Sequence, residues 1–126
     1  MKYKKFNPYK NNRRMFADLT LTIGCNIDGK PALKPEGVWF TAHKHITQRL
    51  DSYTTSLGEW EGIPETSVNI RVSLVPSFQL PKLLRQVERL ADALEQDAIG
   101  VWDSFGGSTL VYGSKWHAKQ NTQKNA

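Results

Sequence analysis

Two glutamates flank a tryptophan between two glycines, in the run Glu59-Trp60-Glu61. Paired carboxylates act as general acid and base when their surroundings separate their pKa values, but no nearby residue type would do so here. An exposed tryptophan is a typical anchor of a protein interface, and acidic neighbours attract a basic partner. We therefore predict that Trp60, Glu59 and Glu61 form a protein-binding surface. The alternative, in which Trp60 folds back over the edge of the core, stays open.

The histidines, the single cysteine and the serine after a glycine pair do not form a reactive constellation. His43 and His45 are two residues apart in a segment with helical spacing, where such positions point to nearly opposite sides. Cys25 lies on the apolar side of a strand pattern and is expected to be a small buried hydrophobe. Ser108 lacks the second glycine of the hydrolase elbow. We predict no catalytic residue, no metal site and no cofactor, and thus a protein that is not an enzyme.

Charge is segregated along the chain, because both ends are basic and all twelve acidic residues lie between them. The first fourteen residues also interleave aromatic rings with cations. Cations that neutralise phosphates and rings that stack on bases are the means by which single-stranded nucleic acids are held. The sequence thus predicts a nucleic-acid-binding arm that consists of Lys2, Tyr3, Lys4, Lys5, Phe6, Tyr9, Lys10, Arg13 and Arg14.

The secondary-structure elements follow from the spacing of apolar residues. Strict alternation predicts strands over residues 19–25 and 68–74, and spacings of three and four predict helices over 38–53 and 80–94. Two short strands, at 98–102 and 109–112, are joined by a glycine-containing turn. Residues 54–66, with their glycines, serine, threonine and Pro64, are predicted to form a loop.

These elements predict an α+β fold with a four-stranded mixed sheet in the order βαβαββ and two helices on one face. A length of 126 residues is typical of one domain. We place this domain at residues 15–113, between a flexible basic arm at 1–14 and a polar basic tail at 114–126. No segment has the apolar run of a signal peptide or a membrane span, so the expected location is the cytoplasm.

The segments LEQDAIGVW (94–102) and GSTLVYG (107–113), within this small βαβαββ pattern, resemble accessory proteins of bacteriophages and plasmids. Some members of that group, anti-CRISPR proteins among them, inhibit host defence systems. The resemblance implies an inhibitor that sterically occludes a host defence protein or ribonucleoprotein in the bacterial cytoplasm. The alternative is a small nucleic-acid-binding protein that uses the basic arm. A second copy of the chain is a further candidate partner, and no membrane partner is expected.

Overall fold

The computed structural model describes residues 6–9 and 15–124, which contain seven β-strands and three α-helices. In chain order, the elements are β1 (Phe16–Gly24), β2 (Asn26–Ile27), β3 (Lys30–Pro31), α1 (Pro35–His45), β4 (Leu50–Trp60), β5 (Ile63–Pro76), a short 3₁₀ helix (Ser77–Gln79), α2 (Leu80–Ala93), β6 (Ala98–Asp103), β7 (Ser108–Tyr112) and α3 (Ser114–Lys124).

The main sheet has five strands in the order β4-β5-β1-β6-β7, and all its neighbouring strands are antiparallel. The sequence β1-α1-β4-β5-α2-β6 forms a split βαβ unit, in which β1 lies between the two strands that border the second helix. Strand β7 extends this unit at one edge. The two short strands β2 and β3 pair with each other in the connection that follows β1.

Helices α1 and α2 cover one face of this sheet and enclose the core. The alternating residues Leu21 and Ile23 of β1 are fully buried, as is Ile70 of β5. They meet the apolar stripe of α2, of which Val87 and Leu90 are also fully buried. A fully buried side chain of this size contributes about 1.5–3 kcal/mol relative to its exposed state, so these layers supply most of the stability of the fold.

Within residues 6–9 and 15–124, no helix covers the centre of the opposite face of the sheet, which is largely polar. Thr22 Oγ1 donates to Asn69 Oδ1 at 3.0 Å, and Asn69 Nδ2 donates to Ser56 Oγ at 3.0 Å, so a chain of hydrogen bonds crosses three strands. Trp102 lies on the same face, 48% exposed. This open face is the surface on which a ligand can reach the sheet.

The α+β class is confirmed, but the predicted strand count, the mixed sheet and the loop at 54–66 are wrong. That loop is the end of the β4–β5 hairpin, whose strands pair as far as Trp60 and Ile63. Its turn residues Glu61 and Gly62 have φ angles of 52° and 81°, which are the left-handed values of a two-residue hairpin turn. β4 lies at the edge of the sheet and is mostly exposed, so its sequence shows no alternation of apolar residues.

The helix predicted at 38–53 ends at His45, because Ile46 has the extended angles φ −108° and ψ 122°. Tyr53 belongs to β4 and packs on Trp39 with ring centroids 5.1 Å apart. The spacing of Tyr53 matches the helical pattern only by chance, because Tyr53 belongs to a strand that packs against α1.

The polar segment at 114–126, predicted as a tail, contains α3. Ser114 N–H donates to Asp92 Oδ1 at 2.6 Å, and the Ser114 hydroxyl donates to Asp92 Oδ2 at 2.9 Å. The helix N-terminus is thus capped by a residue of α2, which is a long-range contact that the tail sequence does not reveal.

Two residues of the predicted nucleic-acid-binding arm belong to the folded domain. The Phe6 ring is 5% exposed and forms part of the core. The Tyr9 hydroxyl donates to the Val75 carbonyl at 2.9 Å, and burial raises the pKa of Tyr9 to about 12. The arm's other predicted contacts, Lys2, Tyr3, Lys4, Lys5, Lys10, Arg13 and Arg14, lie outside the described residues.

In the described part of the chain, the helices are all too short or too polar to cross a membrane.

Candidate functional site

A cavity of about 580 Å³ opens on the uncovered face of the sheet, at the end where β1 runs into β2. This volume lies within the range of small-molecule sites in proteins. Its floor consists of β1, β5 and β6. Its walls consist of the β4–β5 hairpin end, the β2–β3 turn, the connection between α2 and β6, and one side of α3.

Two glycines allow neighbouring side chains to lie close to the backbone at the floor of the cavity. A Cβ atom on Gly24 would collide with the carboxylate of Glu65, which lies against the backbone and accepts a hydrogen bond from Asn26 N–H at 3.0 Å. A Cβ atom on Gly100 would lie 3.2 Å from Trp102 Nε1. A glycine inside a strand often marks a close approach of this kind. The absence of a side chain at Gly100 therefore leaves room for the Nε1 edge of the Trp102 indole.

The end of the β4–β5 hairpin forms the wall that carries Glu59, Trp60 and Glu61. Trp60 Nε1 donates to Asp97 Oδ2 at 3.3 Å, so the indole is half-buried and oriented by the connection between α2 and β6. Trp60 thus folds back onto Asp97 at the cavity wall and not over the edge of the core, against which Tyr9, Leu33, Trp39 and Tyr53 pack. The role of these three residues as a protein-binding surface stays a prediction.

Helix α3 contributes two lysines that form ion pairs across the cavity wall. Lys119 Nζ lies 3.0 Å from Asp97 Oδ1 and 3.8 Å from Asp28 Oδ1, and Lys115 Nζ lies 3.3 Å from the same Asp28 oxygen. The hydrogen bond to Asp97 raises the pKa of the Lys119 ammonium above its ordinary value, although burial acts in the opposite direction. The Lys119 ammonium is therefore charged at neutral pH.

Carboxylates outnumber cations on the cavity lining, with six carboxylates against two lysines. Glu59, Glu61 and Glu95 form no side-chain hydrogen bond or ion pair within residues 6–9 and 15–124. Clefts lined by one sign of charge concentrate ligands of the opposite sign. The cavity is thus suited to a cationic ligand that also presents a flat ring to Trp60 or Trp102.

Cys25, His43 and His45 lie outside the lining of this cavity. Cys25 is buried as predicted, and burial raises the pKa of its thiol, with the charge of Glu65 adding to the effect. His43 contacts Trp39 on the helical face, and His45 Nδ1 lies 3.1 Å from the Thr41 carbonyl oxygen. Within the residues that the structure describes, no three His, Cys, Asp or Glu side chains group as a metal site.

No family model and no curated protein matches this chain. Its fold is similar to two solved structures of a phage SAM lyase. One, in complex with S-methyl-5'-thioadenosine, has a TM-score of 0.60 and 17% identity over 79% of this chain and 91% of the other. The other, in the apo state, has a TM-score of 0.62 and 14% identity over 80% of this chain and 93% of the other.

These neighbours are enzymes, and they contradict the prediction of a non-catalytic protein that sterically occludes a defence complex. They are phage proteins, as the resemblance in the sequence indicates, but no likeness to an anti-CRISPR protein is shown. Sequence reasoning also missed seven residues of the cavity lining that shape its charge and its floor, namely Asp28, Glu65, Glu95, Asp97, Gly100, Lys115 and Lys119. The glycines inside strand patterns were the one local signal for it.

Proposed function

We propose that this protein is an enzyme that cleaves S-adenosylmethionine (SAM) and releases S-methyl-5'-thioadenosine. The observation that carries the proposal is the cavity, which combines two indole rings with an excess of carboxylates on its lining. The fold supports it, because the similar structures are those of a SAM lyase, one of them with S-methyl-5'-thioadenosine bound.

The charge of the cavity fits the substrate. SAM carries a permanent positive charge on its sulfonium sulfur and a second on its α-ammonium group, against one carboxylate. Six carboxylates and two lysines on the lining leave a formal excess of negative charge that attracts such a cation. S-methyl-5'-thioadenosine is neutral and retains none of this attraction, so the same charge favours release of the product.

The aromatic side chains of the cavity suit the adenine base of SAM. Trp102 lines the floor with its Nε1 close to Gly100, and its ring is half-exposed. Stacking of a base on an aromatic side chain contributes about 1–3 kcal/mol. We assign the adenine to the floor at Trp102, which leaves the acidic walls for the amino-acid end of the substrate.

The chemistry requires little acid–base help from the protein. Release of the thioether breaks the bond between sulfur and the γ-carbon, and the electron pair of that bond remains on sulfur, which becomes neutral. The γ-carbon is satisfied without water when the substrate's own carboxylate attacks it, which closes a homoserine lactone. The leaving group needs no proton, so the contribution of the enzyme is to hold the methionine chain in the bent geometry of this attack.

This reaction joins a negative and a positive charge, so it is favoured where water is excluded and neither charge is separately stabilised. Carboxylates placed against the sulfonium would stabilise the substrate more than the transition state and slow the reaction. The acidic groups are therefore best used on the α-ammonium, whose charge does not change during the reaction.

The proposal is tested by incubating purified protein with SAM and following the thioether by liquid chromatography. We expect turnover by the wild type and a loss of about tenfold or more in kcat/KM for Trp102→Ala, because removal of a stacked ring costs about 1–3 kcal/mol. Glu36→Gln, at the start of α1 on the opposite face, serves as the matched control and should retain full activity. Wild-type protein that neither binds nor cleaves SAM would contradict the proposal.

A further inference from the structure

Two lysine ammonium groups of α3 form ion pairs with two carboxylates of the cavity wall. The Lys119 ammonium is 3.0 Å from Asp97, and the Lys115 ammonium is 3.3 Å from Asp28. On the proposed function, on which this inference rests, the substrate brings its own ammonium group to an acidic wall. We propose that Asp97 and Asp28 form the subsite for the α-ammonium group of the substrate, and that Lys119 and Lys115 are competing internal cations that this group displaces.

Asp97 is suited to hold a ligand because its position does not depend on the lysine. Its side chain is 15% exposed, which is the least of the carboxylates in the ion pairs of the described residues. Its second oxygen accepts the hydrogen bond of the Trp60 indole. When Lys119 leaves, Asp97 remains fixed by Trp60 and stays directed toward the cavity.

Lys119 is suited to leave because it is a flexible side chain on an exposed position, with 45% of it accessible. Helix α3 is held by other contacts. Its first residue is capped by Asp92, and Trp116 stacks on Tyr112 with centroids 4.1 Å apart. An ion pair that is partly exposed contributes little to stability. The lysines can therefore release their carboxylates while the helix stays in place.

Competition by Lys119 predicts the sign of the change in ligand affinity when its charge is removed, whereas a purely structural role in the cavity wall predicts the opposite sign. Lys119 occupies the carboxylate that the ligand's ammonium needs, so removal of its charge strengthens the binding of any ligand with an α-ammonium group. The same change leaves the affinity for a ligand without this group unaltered. If Lys119 instead helps to form the cavity wall, its loss weakens the binding of both kinds of ligand.

The test uses two probes that share the adenosine and differ in the amino-acid end. S-adenosylhomocysteine has a neutral sulfur and keeps the α-ammonium group, whereas S-methyl-5'-thioadenosine has neither charge. Dissociation constants are measured by isothermal titration for the wild type, Lys119→Met, Asp97→Asn and the control Lys82→Met, which removes an exposed charge from α2. Asp97→Asn keeps a carbonyl oxygen for the Trp60 N–H.

We expect Lys119→Met to bind S-adenosylhomocysteine about three- to tenfold more tightly than the wild type, as the removal of one partly screened competing charge implies. Asp97→Asn should weaken the same ligand by about tenfold or more. Both variants should bind S-methyl-5'-thioadenosine as the wild type does, and Lys82→Met should change neither constant. If Lys119→Met lowers the melting temperature, Lys119→Gln provides the same comparison with a polar side chain.

Weaker or unchanged binding of S-adenosylhomocysteine by the lysine variant would overturn this inference and leave the proposed function standing. Equal changes for the two probes would overturn it as well, since they would place Lys119 in the wall around the adenosine. A wild type that binds neither probe would overturn the proposed function together with this subsite.

Discussion

The indole of Trp60 donates its N–H to the carboxylate of Asp97 at 3.3 Å, across 37 residues of chain. This contact joins the end of the β4–β5 hairpin to the connection between α2 and β6. Lys119 reaches the other oxygen of the same carboxylate, so α3 meets the two elements at one point. Three elements that are distant in the sequence thus form the wall of one cavity.

Loss of this hydrogen bond should impair substrate binding at the cavity wall more than it lowers the stability of the fold. Trp60→Phe keeps an aromatic ring but removes the N–H, and we expect a KM for SAM several-fold higher. The free energy of unfolding should fall by about 0.5–1.5 kcal/mol, the net worth of one hydrogen bond. The matched control is Trp39→Phe, because Trp39 packs on Tyr53 at the helical face. That variant should lose stability without a change in KM, and a KM raised equally by both would contradict this account of the wall.

Gly24 should not tolerate a side chain, although alanine is a small residue. Its Cβ atom would collide with the Glu65 carboxylate, which would have to leave the hydrogen bond from Asn26. We expect Gly24→Ala to lower kcat/KM by tenfold or more, since about 1.4 kcal/mol of lost transition-state binding has this effect. In Gly37→Ala a Cβ atom would meet nothing within 4 Å. This control should stay active, with stability unchanged or raised by up to about 1 kcal/mol. Full activity of Gly24→Ala would show that Glu65 is not needed in its present position.

Cys25 should be inert toward thiol reagents in the folded protein. Burial raises the pKa of its thiol and the nearby charge of Glu65 raises it further, so little of the reactive thiolate is present at neutral pH. We expect labelling by an aromatic disulfide reagent to be slow at pH 7.5 and complete after unfolding in urea. Cys25→Ala should retain activity. Rapid labelling that abolishes turnover would instead place the thiol within reach of the site.

Tyr9 should make the protein sensitive to alkali. Burial raises its pKa from 10.0 to about 12, so the folded state favours the neutral phenol. The associated stability is fully present below pH 10 and is lost as the pH rises from 10 toward 12, because the unfolded chain ionises first. Urea unfolding between pH 8 and 12 should show this decline in the wild type.

Tyr9→Phe isolates the contribution of that phenol from those of all other groups. The variant should be less stable at pH 8, by about 0.5–1.5 kcal/mol, because the hydrogen bond to the Val75 carbonyl is lost. Its decline above pH 10 should be shallower than that of the wild type. Parallel curves would show that Tyr9 titrates normally.

The elements that bury one face were predictable because each carries its own period. The alternation of Leu19, Leu21 and Ile23 and the stripe of α2 identify their buried sides, and both are buried as expected. The edge strand β4 was not predictable in this way, since most of its residues are exposed and no face is selected for apolar side chains. Its pairing with β5 is a long-range property of the sheet.

The candidate site was predictable only in fragments. The run Glu59-Trp60-Glu61 is unusual in sequence, and the structure does place it on a functional cavity candidate. Its role in protein binding stays a prediction. The cavity was not predictable from this run, because the residues that complete it come from β6, α3 and the β2–β3 turn. No local pattern relates Trp60 to Asp97 or Asp28 to Lys115; those contacts exist only after the strands have paired.

The most direct test of the central claim is product analysis of SAM incubated with the purified protein in water enriched in ¹⁸O. Cleavage by the substrate's own carboxylate predicts S-methyl-5'-thioadenosine together with homoserine lactone that carries no ¹⁸O. Any homoserine formed by later opening of the lactone should carry the label on its carboxyl group. Label on the γ-hydroxyl of homoserine would show direct attack by water, and the absence of S-methyl-5'-thioadenosine would contradict the proposed activity itself.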